Sequence, residues 1–160
     1  MISKKKMLIF ISLIISISML IGCNNTMDNI YNDNSKIVKE GDTFGLDETH
    51  EVAKNGIYKG IVKLSGTGTI WTYKSDKNLN LKVPYTFSVK SGKAKIVLIS
   101  PNNKVTVLAE NTGKNTEGEI KKLTIPIKKG NNRIKLVGYK KANITLEIHI
   151  DKGEFQKIDF

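Results

Sequence analysis

Leu79-Asn80-Leu81-Lys82-Val83-Pro84-Tyr85-Thr86-Phe87-Ser88-Val89 decides the fold class, because every odd position is apolar while the even ones are polar or proline. Side chains alternate across a β-strand, so this period of two is the pattern of a strand with one face buried and one in water. Pro84 falls in the polar set. Lacking an N–H, it predicts an edge strand or a bulge at that point. Ala142, Ile144, Leu146, Ile148 and Ile150 repeat the pattern, with Asn143, Thr145, Glu147 and His149 on the outward positions.

Between these two segments, 94–99 is a nearly continuous apolar run, 105–109 and 120–127 are mixed, and 134–137 is short and aliphatic. Residues 57–64 and 69–74 add two more strands. Turn-forming residues punctuate them: Ser91-Gly92, Pro101-Asn102-Asn103, Asn111 to Gly113 with Gly118, Lys129-Gly130-Asn131 and Asp151-Lys152-Gly153. No helical period competes. About eight short strands at such spacing predict an all-β, antiparallel two-sheet β-sandwich, each strand turning its polar face to water. Jelly-roll and immunoglobulin-like topologies are both open. The second would lack its usual disulfide, since the chain has a single cysteine.

The 160 residues make one modest domain plus terminal segments, and 39% hydrophobic residues suffice for a core, which excludes a chain disordered throughout. One cysteine excludes a disulfide framework. Lys4, Lys5 and Lys6 precede an uncharged run over 7–22, the charged start and apolar core of a secretory signal. The run is short of the roughly 20 residues that span a bilayer. It closes on Leu20-Ile21-Gly22-Cys23, which resembles the lipobox of bacterial lipoproteins. That resemblance implies that 1–22 is a cleaved signal peptide, that Cys23 carries the lipid, and that the mature chain sits on the extracytoplasmic face of the cell membrane.

Residues 23–50 read as the lipidated cysteine followed by a polar, acidic tether. From Asn24 it holds Lys36 and Lys39 against Asp28, Asp33, Glu40, Asp42, Asp47 and Glu48. A flexible chain of that length has a root-mean-square span of roughly 25 to 30 Å, enough to lift a domain clear of headgroups. Phe44 and Leu46 offer an alternative, an edge element docked on the domain. Residues 51–160 form the basic β domain, with 21 Lys and Arg against 9 Asp and Glu, an excess that more than accounts for the chain's net +11. Within it, Ser91-Gly92-Lys93-Ala94-Lys95-Ile96-Val97-Leu98-Ile99-Ser100-Pro101, Val105-Thr106-Val107-Leu108 and Lys129-Gly130-Asn131-Asn132-Arg133-Ile134-Lys135-Leu136-Val137-Gly138 resemble small uncharacterised lipoproteins of low-GC Gram-positive bacteria. That likeness implies a similar β domain and brings no catalytic motif with it.

Two histidines, no second thiol and scattered carboxylates make a nucleophile–base pair hard to assemble, and no nucleophile elbow, phosphate loop or zinc-protease motif is present. The reading is therefore no enzyme and no cofactor. A loop-assembled carboxylate site from Asp76, Glu110 and Glu117 is the weaker enzymatic alternative. Ser65-Gly66-Thr67-Gly68-Thr69 reads as a hairpin or bulge, because no helix follows to make it a nucleotide loop. Glu147, His149 and Asp151, at a spacing of two, project from one strand face as a candidate metal site, a pattern that an ordinary solvated face shares. Glu48, His50 and Glu51 pose the same question. Trp71 and Tyr73 share a strand face, with Tyr58 and Tyr85 as neighbours if strand order allows; such rows serve sugar stacking and, more often, β cores.

Lysines occur on nearly every strand and turn, whereas Arg133 is the only arginine in the β domain. Nucleic-acid readers favour the arginine fork, so no nucleic acid is expected. Anionic headgroups, wall polymers or a surface protein fit as partners, and a face kept soluble by charge fits equally well. The expected role is a membrane-anchored, non-catalytic binding or interaction module, with a carbohydrate-binding accessory module on Trp71 and Tyr73 as the alternative. Cys23→Ser is expected to release or mislocalise the protein; unchanged membrane fractionation of that variant refutes the anchor.

Overall fold

A computed structural model describes residues 27–113 and 119–158. The expected signal segment, Cys23 and Glu117 lie outside them. A 3₁₀ turn over Asp28–Ile30 and a one-turn helix α1 (Asn34–Ile37) lead into seven strands. These are β1 (Thr43–Lys54), β2 (Ile57–Ser75), β3 (Leu79–Ile99), β4 (Val105–Asn111), β5 (Lys121–Ile127), β6 (Gly130–His149) and β7 (Glu154–Phe155). All pairings are antiparallel, in the order β1-β2-β6-β3-β4, with β5 added to β3 and β7 to β2.

Three pairs of the eight expected segments fuse, leaving five strands, and β1 and β7 bring the number to seven. Residues 57–64 and 69–74 are one strand, as are 79–89 and 94–99, and 134–137 and 142–149. The Gly-containing stretches between them, Ser91-Gly92 included, are bends within strands rather than turns. The register slips at Leu64/Gly66 on β2 and at Val89/Ser91 and Ser91/Lys93 on β3. Bulges of this kind bend a strand sharply. Gly66 has φ +94°, and a Cβ there would stand 2.0 Å from the Thr43 carbonyl oxygen; at Gly92 the φ is +73° and the distance 2.5 Å from that of Tyr139. Only glycine passes both points.

The bends turn the two halves of the sheet into the two layers of a sandwich around one core. One half comprises β5 with the first part of β3, the last part of β6 and the first part of β2; the other comprises β4 with the complementary parts. Parity records the bend. Val83, Phe87 and Val89 point inward before it, and Ala94, Ile96 and Leu98 after it, all in the same buried cluster. As Pro84 predicts, β3 is an edge at that point, since over 79–84 it pairs with β5 alone. The β6 ladder begins at Tyr85, so the missing N–H falls at the ladder's end.

Val97, Ile99 and Val137 point the other way, yet they are buried too, because Ile30, Tyr31 and Ile37 lie over them. This explains the continuous apolar run over 94–99: a strand covered on both faces needs no polar side. The expected flexible tether is therefore corrected. From Met27 onward the segment belongs to the domain, and Phe44 and Leu46 on β1 pack against the main core as an edge strand. Each of the three large covering side chains contributes about 1.5–3 kcal/mol of burial.

A buried ion pair fastens this cover. Lys135, fully buried, donates its three ammonium hydrogens to Asp42 Oδ1 at 2.8 Å, the Lys39 carbonyl at 2.8 Å and the Gly41 carbonyl at 3.4 Å. Asp42 also accepts from Thr69, through the backbone N–H at 2.8 Å and the hydroxyl at 3.1 Å. Arg133 donates to the Val38 carbonyl at 2.8 Å. Burial lowers the pKa of Lys135, and Asp42 pulls it back up. Removing one charge from such a pair costs about 3–5 kcal/mol, whereas neutralising both recovers much of it. Asp42→Asn should lose that amount in urea unfolding, and adding Lys135→Met should restore most of it. A loss under about 1 kcal/mol for Asp42→Asn denies the pair this role.

Candidate functional site

Among the described residues, the asymmetry of the cover leaves one sheet face bare. On the half built from β5, β3, β6 and β2, outward positions carry Lys82, Thr86 and Ser88 on β3, Asn143, Thr145, Glu147 and His149 on β6, Lys59, Ile61 and Lys63 on β2, and Lys122 and Thr124 on β5. Pairing sets them in rows across the strands. Lys59 stands opposite Glu147, which faces Thr86; Ile61 stands opposite Thr145, which faces Ser88; Lys82 faces Thr124. Lys59 is paired to Glu147 at 3.2 Å. Among the described residues, Lys63, Lys82 and Lys122 have no carboxylate within ion-pair distance. Ile61 is 51% exposed in the middle of this face. At its rim a shallow cleft of about 440 Å³ is lined by Pro84, Tyr85, Thr86, Ile120, Glu147 and His149.

Trp71 is not a stacking platform. The bulge between Thr69 and Trp71 turns its indole into the core, where it is 0% exposed, and β7 pairs across it. Its Nε1 donates to the Lys152 carbonyl at 2.8 Å. Tyr73 lies 5.7 Å away, ring to ring, and is half-buried. It lines a polar cleft of about 550 Å³ with Thr72, Lys74, Asn131, Arg133 and Glu154. A second cleft of about 450 Å³ shares Thr72, Asn131 and Arg133 and runs on to Asp42, Ser100 and Pro101. Tyr58 and Tyr85 do not extend the row. They flank Ile148 in the other half of the sheet, and Tyr58 is fully buried with its hydroxyl donated to Glu51. Burial and that carboxylate hold the Tyr58 phenol well above its ordinary pKa.

The candidate metal triad is not assembled. His149 Nε2 meets Glu147 Oε1 at 3.1 Å, but Asp151 follows β6 in an exposed bend. His149 and Lys59 hold the Glu147 carboxyl below its usual range. Among the described residues no three metal-ligating side chains gather. Glu51 is occupied by the Tyr58 hydroxyl, the Thr49 hydroxyl and the Ile158 N–H, which separates it from Glu48 and His50 as a ligand set. Nor do Asp76 and Glu110 converge: Asp76 lies in the turn before β3, and Glu110 faces Lys95 toward the other end of that strand.

Sequence reasoning missed the polar groups under the N-terminal cover. Tyr31 donates to Glu110 at 2.6 Å, while Lys93 and Lys95 stand 4.5 and 4.7 Å from the centre of its ring. Burial and Glu110 raise the Tyr31 phenol, and burial lowers Lys95. Two signals pointed there: the apolar pairs Ile30-Tyr31 and Ile37-Val38 in an otherwise polar stretch, and Lys135 set between Ile134 and Leu136. No protein-family model matches the chain, and no curated protein matches it either. Acrylamide should quench Trp71 fluorescence weakly, and added oligosaccharides should leave its emission in place. Quenching as strong as that of free tryptophan contradicts the buried indole.

Proposed function

We propose that this chain is a lipid-anchored, extracytoplasmic, non-catalytic binding module whose bare sheet face engages an anionic envelope polymer or the acidic surface of a partner protein. One observation carries the reading. The N-terminal segment covers the outer face of one half-sheet, and the other half presents Lys63, Lys82 and Lys122 among hydroxyl and amide side chains on an uncovered surface. Lysine heads on a flat sheet can follow an extended polyanion, each contributing about 1 kcal/mol at most, and the attraction is screened by salt. The lipobox at Leu20-Ile21-Gly22-Cys23 supports placement outside the membrane, where such polymers are met.

Tyr73 favours a second reading, a carbohydrate-binding module without Trp71. Its ring borders a cleft with Asn131, Thr72 and Glu154, a combination of one aromatic face and several polar groups that suits a sugar. The two readings separate experimentally. The unlipidated chain should bind anionic wall preparations at low salt and lose them at high salt, and Lys82→Glu with Lys122→Glu should weaken binding at least tenfold. Binding that survives high salt, or that ignores both charge reversals, refutes the electrostatic face; loss on Tyr73→Ala alone selects the cleft.

A further inference from the structure

We propose that acylated Cys23 holds the domain directly on the bilayer, with the bend that carries Lys140 and Lys141 turned toward the lipid headgroups. This rests on the lipoprotein reading above. Only Asn24, Asn25 and Thr26 separate Cys23 from Met27, the first of the described residues. Four Cα–Cα steps reach about 15 Å at full extension. A domain of this size is roughly 35 Å across, so so short a leash does not let it turn its far end to the membrane.

The exit point fixes which end is near. Asp28 Oδ1 accepts the Lys140 N–H at 2.8 Å and the Ser65 hydroxyl at 3.4 Å. The Lys141 N–H donates to Ser65 Oγ at 2.8 Å, and the Lys141 ammonium reaches Asp47 at 3.0 Å. Met27 packs beside Gly45 on the adjoining β1. The chain therefore leaves the sandwich at the bend of β6, where Lys140 and Lys141 take φ values of +55° and +50°. Consecutive left-handed lysines cost about 1–2 kcal/mol each and turn β6 sharply at this corner. Lys140 stands 5.3 Å over the ring of Tyr139, and tyrosine with lysine is the pairing found at headgroup level.

Charge is the smaller force here. Asp28, Asp47 and Glu48 nearly balance Lys63, Lys93, Lys140 and Lys141, a surplus worth about 1 kcal/mol against an anionic surface. The acyl chains, at about 0.8 kcal/mol per buried methylene, and the short leash do the holding. β6 starts at Gly130, roughly 30 Å of strand from the bend. Both polar clefts and the Pro101-Asn102-Asn103 turn lie at that end, which this arrangement points away from the membrane.

Because Cys23 is the sole cysteine, an introduced thiol in the acylated native protein can be labelled alone. Fluorophores at Lys141→Cys, Lys63→Cys and Asn102→Cys are compared on vesicles of phosphatidylcholine and phosphatidylglycerol (3:1) carrying a headgroup nitroxide. Labels at 141 and 63 should be quenched several-fold more than the label at 102. Inserting twenty Gly/Ser residues between Thr26 and Met27 should abolish the difference, since such a chain spans roughly 25 Å. Equal quenching on acylated protein, or a difference that survives the insertion, overturns this proposal alone. A free thiol at Cys23 by mass spectrometry overturns the anchor and this orientation together.

Discussion

The buried pair between Lys135 and Asp42 is the constraint on which the rest of the arrangement depends. An ammonium without water is tolerable only when every hydrogen is satisfied, and here the acceptors come from residues 39–42, far along the chain from β6. That requirement ties the N-terminal segment to the outer face of β6. With the segment in place, Ile30, Tyr31 and Ile37 complete a second apolar layer over Val97, Ile99 and Val137. Without it, a run of aliphatic side chains would face water.

The consequence is a sandwich with unlike outer faces. One is sealed by a 3₁₀ turn, a short helix and a cluster in which Lys93 and Lys95 lie against the Tyr31 ring. The other stays in solvent and keeps the alternation of lysine, hydroxyl and amide groups. Three long strands run through both layers and bend where glycine or left-handed backbone permits, so the faces are set by the same bulges that make the fold. The bulge beside Ile70 also sends Trp71 inward, which removes the one large aromatic surface from solvent and leaves Tyr73 at a polar cleft.

Folding the presumed tether into the domain changes how an anchored protein would present itself. A loose linker of that length would allow any orientation. If Cys23 is the anchor, the three residues between it and Met27 would allow few and would set the polar clefts at the distal end.

Period-two alternation over 79–89 and 142–150 was enough to establish strands, their inward residues and an all-β class, because those depend on neighbours two positions apart. The single cysteine, and the resemblance of Leu20-Ile21-Gly22-Cys23 to a lipobox, were equally local. Lys82 on β3 and the polar side chains of β6 were legible as outward positions of the open face, but not the rows they form, since register is a relation between strands. Local pattern also read Ser91-Gly92 as a turn and left Ser65 to Thr69 as a hairpin or bulge, because a glycine in a bulge and a glycine in a hairpin look alike. Lys135 as a buried cation, Trp71 as core and residues 27–42 as a cover were decided only by tertiary structure. Each rests on partners roughly 80 to 95 positions away, and burial at such separations is a property of the packed chain rather than of any window of sequence.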